Sequence, residues 1–439
     1  MPEPSTTANA YLGIDLGTSG CRAIVIDDNA AVVAESRAAL PPSEHPADGA
    51  AEQSPEDWWQ AVRQVVQTVI ANVPQRIRAL SIDGTSSSVL VCDRRGEPLT
   101  PALMYNDRQA LAEARALAGI APLDSAAQGP TSALAKALRL IERTPRERIA
   151  YVHHQADWIA ACFTRQFGIA DENNVLKLGY DVVHRRWPDW MDELPIDRDW
   201  LPRVIPVGSR IGVIDPHVAD EVHLPRDLVV VAGTTDSNAA ALAAGADAVG
   251  DAVTSLGSTL VLKVVSERPV YSAADGIYSH RLGDRWLVGG ASNCGGAVLR
   301  QHFTDARLAE LSERIDPNTP TGLDYYPLPA TGERFPTADP GKRPVLSPRP
   351  DDDAVFLQAM LEGIAAIEAQ GYRRLQALGA PYPCRVQTSG GGAVNTAWQQ
   401  IRARFLGVPV TPAAHTEAAY GMALLARRGY IAAREQSEN

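Results

Sequence analysis

The stretch YLGIDLGTSGCRAIVID, residues 11–27, places Asp15 inside an apolar run and follows it with Gly17, Thr18, Ser19 and Gly20. Desolvating an ionised carboxyl without partners is costly, so Asp15 is either held by hydrogen bonds from its own Gly-Thr turn or kept for a cation or a proton. Residues 11 to 36 alternate apolar with small or polar types around two glycine-containing turns, which predicts consecutive β-strands. From Ser54 the period changes. SPEDWWQAVRQVVQTVIANV has a capping Ser, Pro at the first helical position, acids in the first turn, and Trp58, Val62, Val65, Val66 and Val69 on one face. That is an amphipathic helix. IRALSIDG then returns to a short strand ending at Asp83 and Gly84, so the order is strands, helix, strand, as in an α/β layer fold with a mixed sheet.

A second block repeats this logic. DLVVVAG reads as a strand buried on both faces, and the Ala-rich TTDSNAAALAAGA after it favours a helix. DAVTSLGSTLVLKVVSE is strand, Gly-Ser-Thr turn, strand, so each half of the chain opens on a Gly-Ser/Thr hairpin. Residues 181 to 215 carry Pro and Trp without clear period, and PTADPGKRPVLSPRPDD, residues 336–352, reads as a Pro-rich surface loop. A long capped helix is expected from Asp353 to Leu378, followed by strand, Gly turn and helix in CRVQTSGGGAVNTAWQQIRARFLG. These blocks place a domain boundary near residue 230, with domains over 1–229 and 230–439.

Bulk properties agree with two domains, since 439 residues at 45% hydrophobic content exceed what one core of about 100–200 residues serves. A net charge of −11, with 41 basic residues scattered singly, leaves no cationic stripe for nucleic acid. Cys21, Cys92, Cys162, Cys294 and Cys384 are dispersed, never as C-x-x-C, which fits a reducing cytoplasm. MPEPSTTANA lacks a basic n-region and an apolar h-region, and no apolar run approaches the ~20 residues needed to span a bilayer. The expectation is a soluble cytoplasmic protein without membrane or nucleic-acid partners.

Three features carry chemistry. Gly17–Gly20 and Gly257, Ser258, Thr259 each set glycine beside hydroxyls in a tight turn, where backbone N–H groups can nest a phosphate, although such turns also occur as plain turns. Asp236 stands where a buried strand gives way to a helix, a place where open α/β folds present side chains to ligand; it also suits an N-cap. In SGGGAVNTAW, Gly390, Gly391 and Gly392 precede a helix bearing Asn395 and Trp398. They either admit a flat ring or a ribose against the backbone or merely supply φ > 0.

Together these residues resemble the FGGY family of carbohydrate kinases, whose actin-like, ribonuclease H-like ATPase fold has mixed sheets flanked by helices and a cleft between domains. The likeness runs through GIDLGTSG, EQSPEDWWQAV, PALMYNDR, AGTTDSNAA, VTSLGST, LEGIAAIEAQG and SGGGAVNTAWQQI, in the family's order. Within the family, IDGTSSSVLVCDRRG, LKLGY, GGASNCGGAVLRQ and LDYYPLPATGERFP look most like D-ribulose kinases of the cyanobacterial and plant type. Xylulose kinases carry Gln-Met-His where this chain has Thr85, Ser86 and Ser87.

The resemblance implies an ATP- and Mg²⁺-dependent kinase that converts D-ribulose to D-ribulose 5-phosphate, as a monomer or homodimer. By analogy the sugar lies between the domains and ATP lies against the second. Asp236 matches the general base, and Asp15 the carboxylate near Mg²⁺ and the γ-phosphate. Gly17, Thr18, Ser19 and Gly20 would cradle the transferring phosphate, and Gly257, Ser258 and Thr259 the others. Adenosine would rest on Gly391, Gly392, Asn395 and Trp398, with the indole beside the base unless Trp398 is a core residue. Asp15, Ser19, Ser86 and Asp236 would hold the sugar, with Tyr105 and Asp83 as further candidates, Asp83 being equally a turn aspartate. His153 and His154, read as neighbours on a helix, point apart and are structural. A kinase for another pentulose or polyol such as D-xylulose shares the pattern. An actin-like chaperone-type ATPase would keep both hairpins but lack the base at Asp236. A sugar-responsive transcription regulator would need a basic DNA-reading module, which the ten residues before the first strand cannot contain.

Overall fold

The computed structural model describes residues 8–71, 73 and 75–438, the last three for backbone alone. The chain divides into two compact units, Met1–Ala243 with Glu417–Asn439, and Ala244–Thr416.

The first unit begins with strands β1 (Asn9–Leu16), β2 (Gly20–Asp27) and β3 (Val32–Ala39), then helix α1 (Pro55–Ile70) and strand β4 (Arg76–Gly84). Next come β5 (Val89–Cys92), α2 (Ala133–Arg143), β6 (Tyr151–His154), α3 (Gln155–Thr164), β7 (Arg210–Val213), β8 (Val229–Thr235) and α4 (Asp236–Ala243). The main sheet has the order β7-β8-β4-β1-β2-β3, parallel between β8, β4 and β1 and antiparallel from β1 to β3. Leu12, Ile14 and Leu16 of β1 join one core with Trp58, Val62, Val65, Val66 and Val69 of α1, the face expected from the sequence. Ser54 occupies the cap position of α1, yet its side chain makes no capping bond, so Pro55 and the first-turn acids carry that helix start.

The second unit contains β9 (Asp251–Leu256), β10 (Leu260–Ser266), β11 (Tyr278–Leu282), β12 (Arg285–Ser292), α5 (Gly296–His302), α6 (Asp353–Ala377), β13 (Arg385–Ser389), α7 (Thr396–Leu406) and β14 (Val410–Pro412). Its sheet runs β11-β12-β10-β9-β13-β14. From β12 to β14 the pairings are antiparallel, antiparallel, parallel, parallel, the same series as from β3 to β8 in the first unit. The duplicated hairpins of the sequence are therefore equivalent elements of two like sheets.

The boundary expected near residue 230 falls instead after Ala243, and the chain returns to the first unit through α8 (Ala418–Glu438). Strand β8 pairs with β4, so Asp236 belongs to the first unit and not to the second. Helix α8 lies on β1 so closely that a Cβ at Gly13 would sit 1.9 Å from the Ala419 carbonyl oxygen. No larger residue fits there, and this long-range seam is invisible to local periodicity. Among the described residues no helix is long and apolar enough to cross a membrane.

Candidate active site

One rung of the first sheet reads Thr234, Asp83, Asp15, Arg22 and Arg37 across five strands, near the carboxyl ends of β8, β4 and β1. Asp83, expected as a turn aspartate, is a strand residue with no solvent exposure. Neither of its oxygens receives an N–H or O–H donor, because cross-strand backbone groups are spent on the ladder. Its near neighbour is the carboxyl of Asp15, close enough for the two to share a proton. Burial pushes the Asp83 carboxyl well above the usual carboxylate range, and the charges of Asp15 and Asp236 add to that. Asp15 is also raised, first by burial, with the shared proton and the Arg22 guanidinium opposing and Asp236 and Glu417 reinforcing. Arg22 lies 3.9 Å from Asp15 but is drawn to Glu417 at 2.7 Å.

The turn after β1 closes on itself through Gly17 N–H to the Gly20 carbonyl at 3.0 Å. Among the described residues Asp15 makes no bond to that turn, so the turn-capping explanation for Asp15 is set aside. Asp236 is the first residue of α4, half-buried, and its Oδ1 accepts from the Ser237 N–H at 2.6 Å. The strand end beneath it is pinned by side-chain amides: Asn173 donates to Thr234 Oγ1 at 2.9 Å and Asn238 to Thr235 Oγ1 at 3.0 Å.

A cavity of about 510 Å³ opens beside Asp236, lined by Ser86, Ser87, Tyr105, Asn106, Arg108, Thr131 and Lys177. Of the predicted sugar residues, Ser86, Tyr105 and Asp236 share this wall, whereas Asp15, Ser19 and Asp83 do not line it. Asn106, Arg108, Thr131 and Lys177 were missed as contacts. YNDR and LKLGY marked two of these segments, but nothing in their spacing says which side chains converge. The lining is rich in hydroxyl, amide and cationic donors, which suits a small polyhydroxylated ligand.

The second unit holds a larger cavity, about 660 Å³, bounded by the Gly257–Ser258 turn, Gly391, Gly392, Asn395 and Trp398, with Leu256, Leu299, Leu308 and Val394 as apolar wall. Thr259 is not on that wall. The turn is held by the start of α5, where Gly296 N–H donates to the Gly257 carbonyl at 2.8 Å and Ala297 N–H to that of Ser258 at 3.2 Å. Gly390 has φ +84°, which explains one glycine of the three. Gly391 is different: a Cβ there would meet nothing within 4 Å, so a side chain would occupy the cavity and not the protein. Asn395 caps α7 by accepting from Trp398 N–H at 2.9 Å and donates to Ser312 Oγ at 2.8 Å, so its amide serves the fold. Trp398, expected beside the base, is 3% exposed, packed in the core beside Gly392, and also on the wall of this cavity. Val394, 86% exposed, is the apolar side chain available at the rim.

The residues present fit the implied partners. An apolar wall beside a hydroxyl- and glycine-bearing turn suits a nucleotide. Among the described residues no three His, Cys, Asp or Glu side chains gather closely enough to coordinate a metal directly. The unbonded oxygens of Asp83 and the mutual repulsion of Asp15, Asp83 and Asp236 nonetheless favour a cation held through its water shell, the habit of Mg²⁺.

The sequence profile of the N-terminal domain of the FGGY family of carbohydrate kinases matches residues 10–243, and that of the C-terminal domain matches residues 252–430. A xylulose kinase of Escherichia coli (strain K12) is 28% identical over 420 residues, spanning 90% of this chain and 85% of its own. A gluconokinase of Bacillus subtilis (strain 168) is 23% identical, spanning 94% and 86%. The crystal structure of a xylulose kinase from Rhodospirillum rubrum superimposes with a TM-score of 0.83 at 25% identity, covering 96% of this chain and 90% of that one.

Proposed function

The chain belongs to the FGGY family of carbohydrate kinases, and from that premise we propose that it phosphorylates the terminal hydroxyl of D-ribulose, giving D-ribulose 5-phosphate. The coarse activity follows from membership: it is a phosphotransferase that moves a phosphoryl group from ATP to a sugar hydroxyl. The observation that carries the assignment of roles is the small polar cavity in which Asp236 and Ser86 meet. Asp236 takes the proton of the attacking hydroxyl as the bond to phosphorus forms and ADP leaves. An aspartate suffices because the hydroxyl turns acidic only in the transition state. Ser86, Asn106 and Lys177 hold the other hydroxyls and so orient the nucleophile. The base and ribose of ATP lie along Leu256, Val394 and Gly391, with phosphates toward Gly257 and Ser258. Mg²⁺, when bound, would neutralise phosphate charge, and Asp15 would hold it. Five free thiols accord with work in the cytoplasm.

D-Xylulose is the second reading, favoured by the names of several relatives. It differs from D-ribulose only in configuration at C3, a change worth about 1–3 kcal/mol in a pocket. Ser86 and Ser87 stand where xylulose kinases resemble one another in carrying a bulkier Met-His pair, and that favours D-ribulose. A coupled ADP-release assay over pentuloses and polyols tests this. D-Ribulose should show the highest kcat/KM; a clear preference for D-xylulose or a polyol overturns the sugar and leaves the kinase standing.

A further inference from the structure

Lys136, in the middle of α2, has no solvent exposure, and its ammonium donates to a carbonyl, that of Met104, at 2.7 Å. A cation buried against a neutral acceptor is expensive, so its place asks for a reason. The Met104 carbonyl belongs to the same peptide unit as the Tyr105 N–H, and that N–H donates to Ser88 Oγ at 3.1 Å. One peptide plane is thus gripped at both ends by buried side chains. Its next residues, Tyr105 and Asn106, line the sugar cavity. Ser88 in turn lies 2.5 Å from Thr85 Oγ1, which donates to Gln155 Oε1 at 2.9 Å, and between Thr85 and Ser88 stand the cavity residues Ser86 and Ser87. Ser87 has φ +73°, a left-handed conformation that a serine keeps only when its surroundings impose it.

We propose that Lys136 and Ser88 are positioning residues for sugar: together they clamp the Met104–Tyr105 peptide and so fix Tyr105 and Asn106 relative to Ser86. This rests on the reading that the cavity beside Asp236 takes the sugar. Neither residue touches substrate; each acts through a backbone group, where a small rotation displaces two side chains at once. Burial brings the Lys136 ammonium down to about 7, with Asp107 opposing and Lys177 reinforcing, and His154 is the other titratable group whose charge it meets. Loss of that proton weakens the grip on Met104, since a neutral amine is the poorer donor.

The test compares wild type, Lys136→Met and Ser88→Ala, with whichever sugar wild type turns over best in the panel. Wild-type KM for sugar should rise as pH passes above about 7. Lys136→Met should raise sugar KM about tenfold at pH 6.5, erase that pH dependence and leave the KM for ATP within about twofold. Ser88→Ala should raise sugar KM in the same direction while keeping the pH dependence, and it carries the test alone should Lys136→Met not fold. An unchanged sugar KM in the folded variants, or equal losses toward sugar and ATP, overturns the clamp. Absence of wild-type turnover with every pentulose would instead overturn the substrate reading, and the clamp is then read on the sugar that is accepted.

Discussion

The two sheets share a strand series but not what stands two residues before the hairpin glycine. In the first unit that rung pairs Asp15 with Asp83, and beside Asp15 stands Arg22. In the second it pairs Ser255 with Ser389, and beside Ser255 stands Val261. The second unit does bury charge, but elsewhere and fully matched. Arg402, 1% exposed, meets both oxygens of Glu368 at 2.6 and 2.7 Å and Thr388 Oγ1 at 2.7 Å, while Thr254 donates to the same glutamate at 2.6 Å. That network ties β9, β13, α6 and α7 together. Matched charge of this kind holds a shape; the unmatched carboxyls of the first unit are tolerated by the fold and become useful only when a proton or cation arrives.

If labour is divided this way, removing charge in the first unit should cost turnover, and removing it in the second should cost stability. The largest effect is expected for Asp236→Asn, which keeps shape and removes the base: sugar-dependent ADP release should fall about a hundredfold to ten-thousandfold, with ATP affinity by calorimetry largely retained. Near-normal turnover would put the base elsewhere. Next in size, Arg402→Met leaves Glu368 buried without a cation, only the Thr254 hydroxyl still donating to it, and should lower unfolding free energy by about 3–5 kcal/mol in urea titrations. Its kcat, per folded molecule at a temperature where the variant remains folded, should stay within about twofold of wild type. A turnover loss without a stability loss would reverse the roles assigned to the two regions.

Much of this was legible from residues alone. Both hairpins, the buried β8 run, helix α1 and the capped helix α6 follow from alternation and helical period, because those signals are local. Of the residues that motifs singled out, Asp236, Ser86, the Gly257 turn and Gly391 line cavities. What escaped depends on contacts distant in sequence. The pairing of β8 with β4 carries the first unit past residue 230, and α8 returns to it across Gly13, yet nothing near residue 243 announces that the chain rejoins this unit at residue 417. Trp398 stands on both a cavity wall and a core, and only packing decides that 97% of it is covered. His153 and His154, read as helical, close β6 instead and are wholly buried.

The smallest and most discriminating effect concerns Asp83, because the rung can be read without any catalysis. In protein stripped of metal by EDTA, the folded state holds a proton on this carboxyl that the unfolded chain releases from about pH 4 upward. The folded state therefore binds more protons, and its stability declines as pH climbs from that point toward the raised folded value. Asparagine at this position has no proton to lose, so Asp83→Asn should gain on wild type progressively between pH 5 and pH 8, read as the spacing between urea midpoints. Ser389→Ala, at the equivalent rung of the second sheet, should show a small offset that does not change with pH. A pH-independent offset for Asp83→Asn as well would mean that the carboxyl is solvated or matched after all, and the contrast between the two sheets would reduce to one of side-chain size.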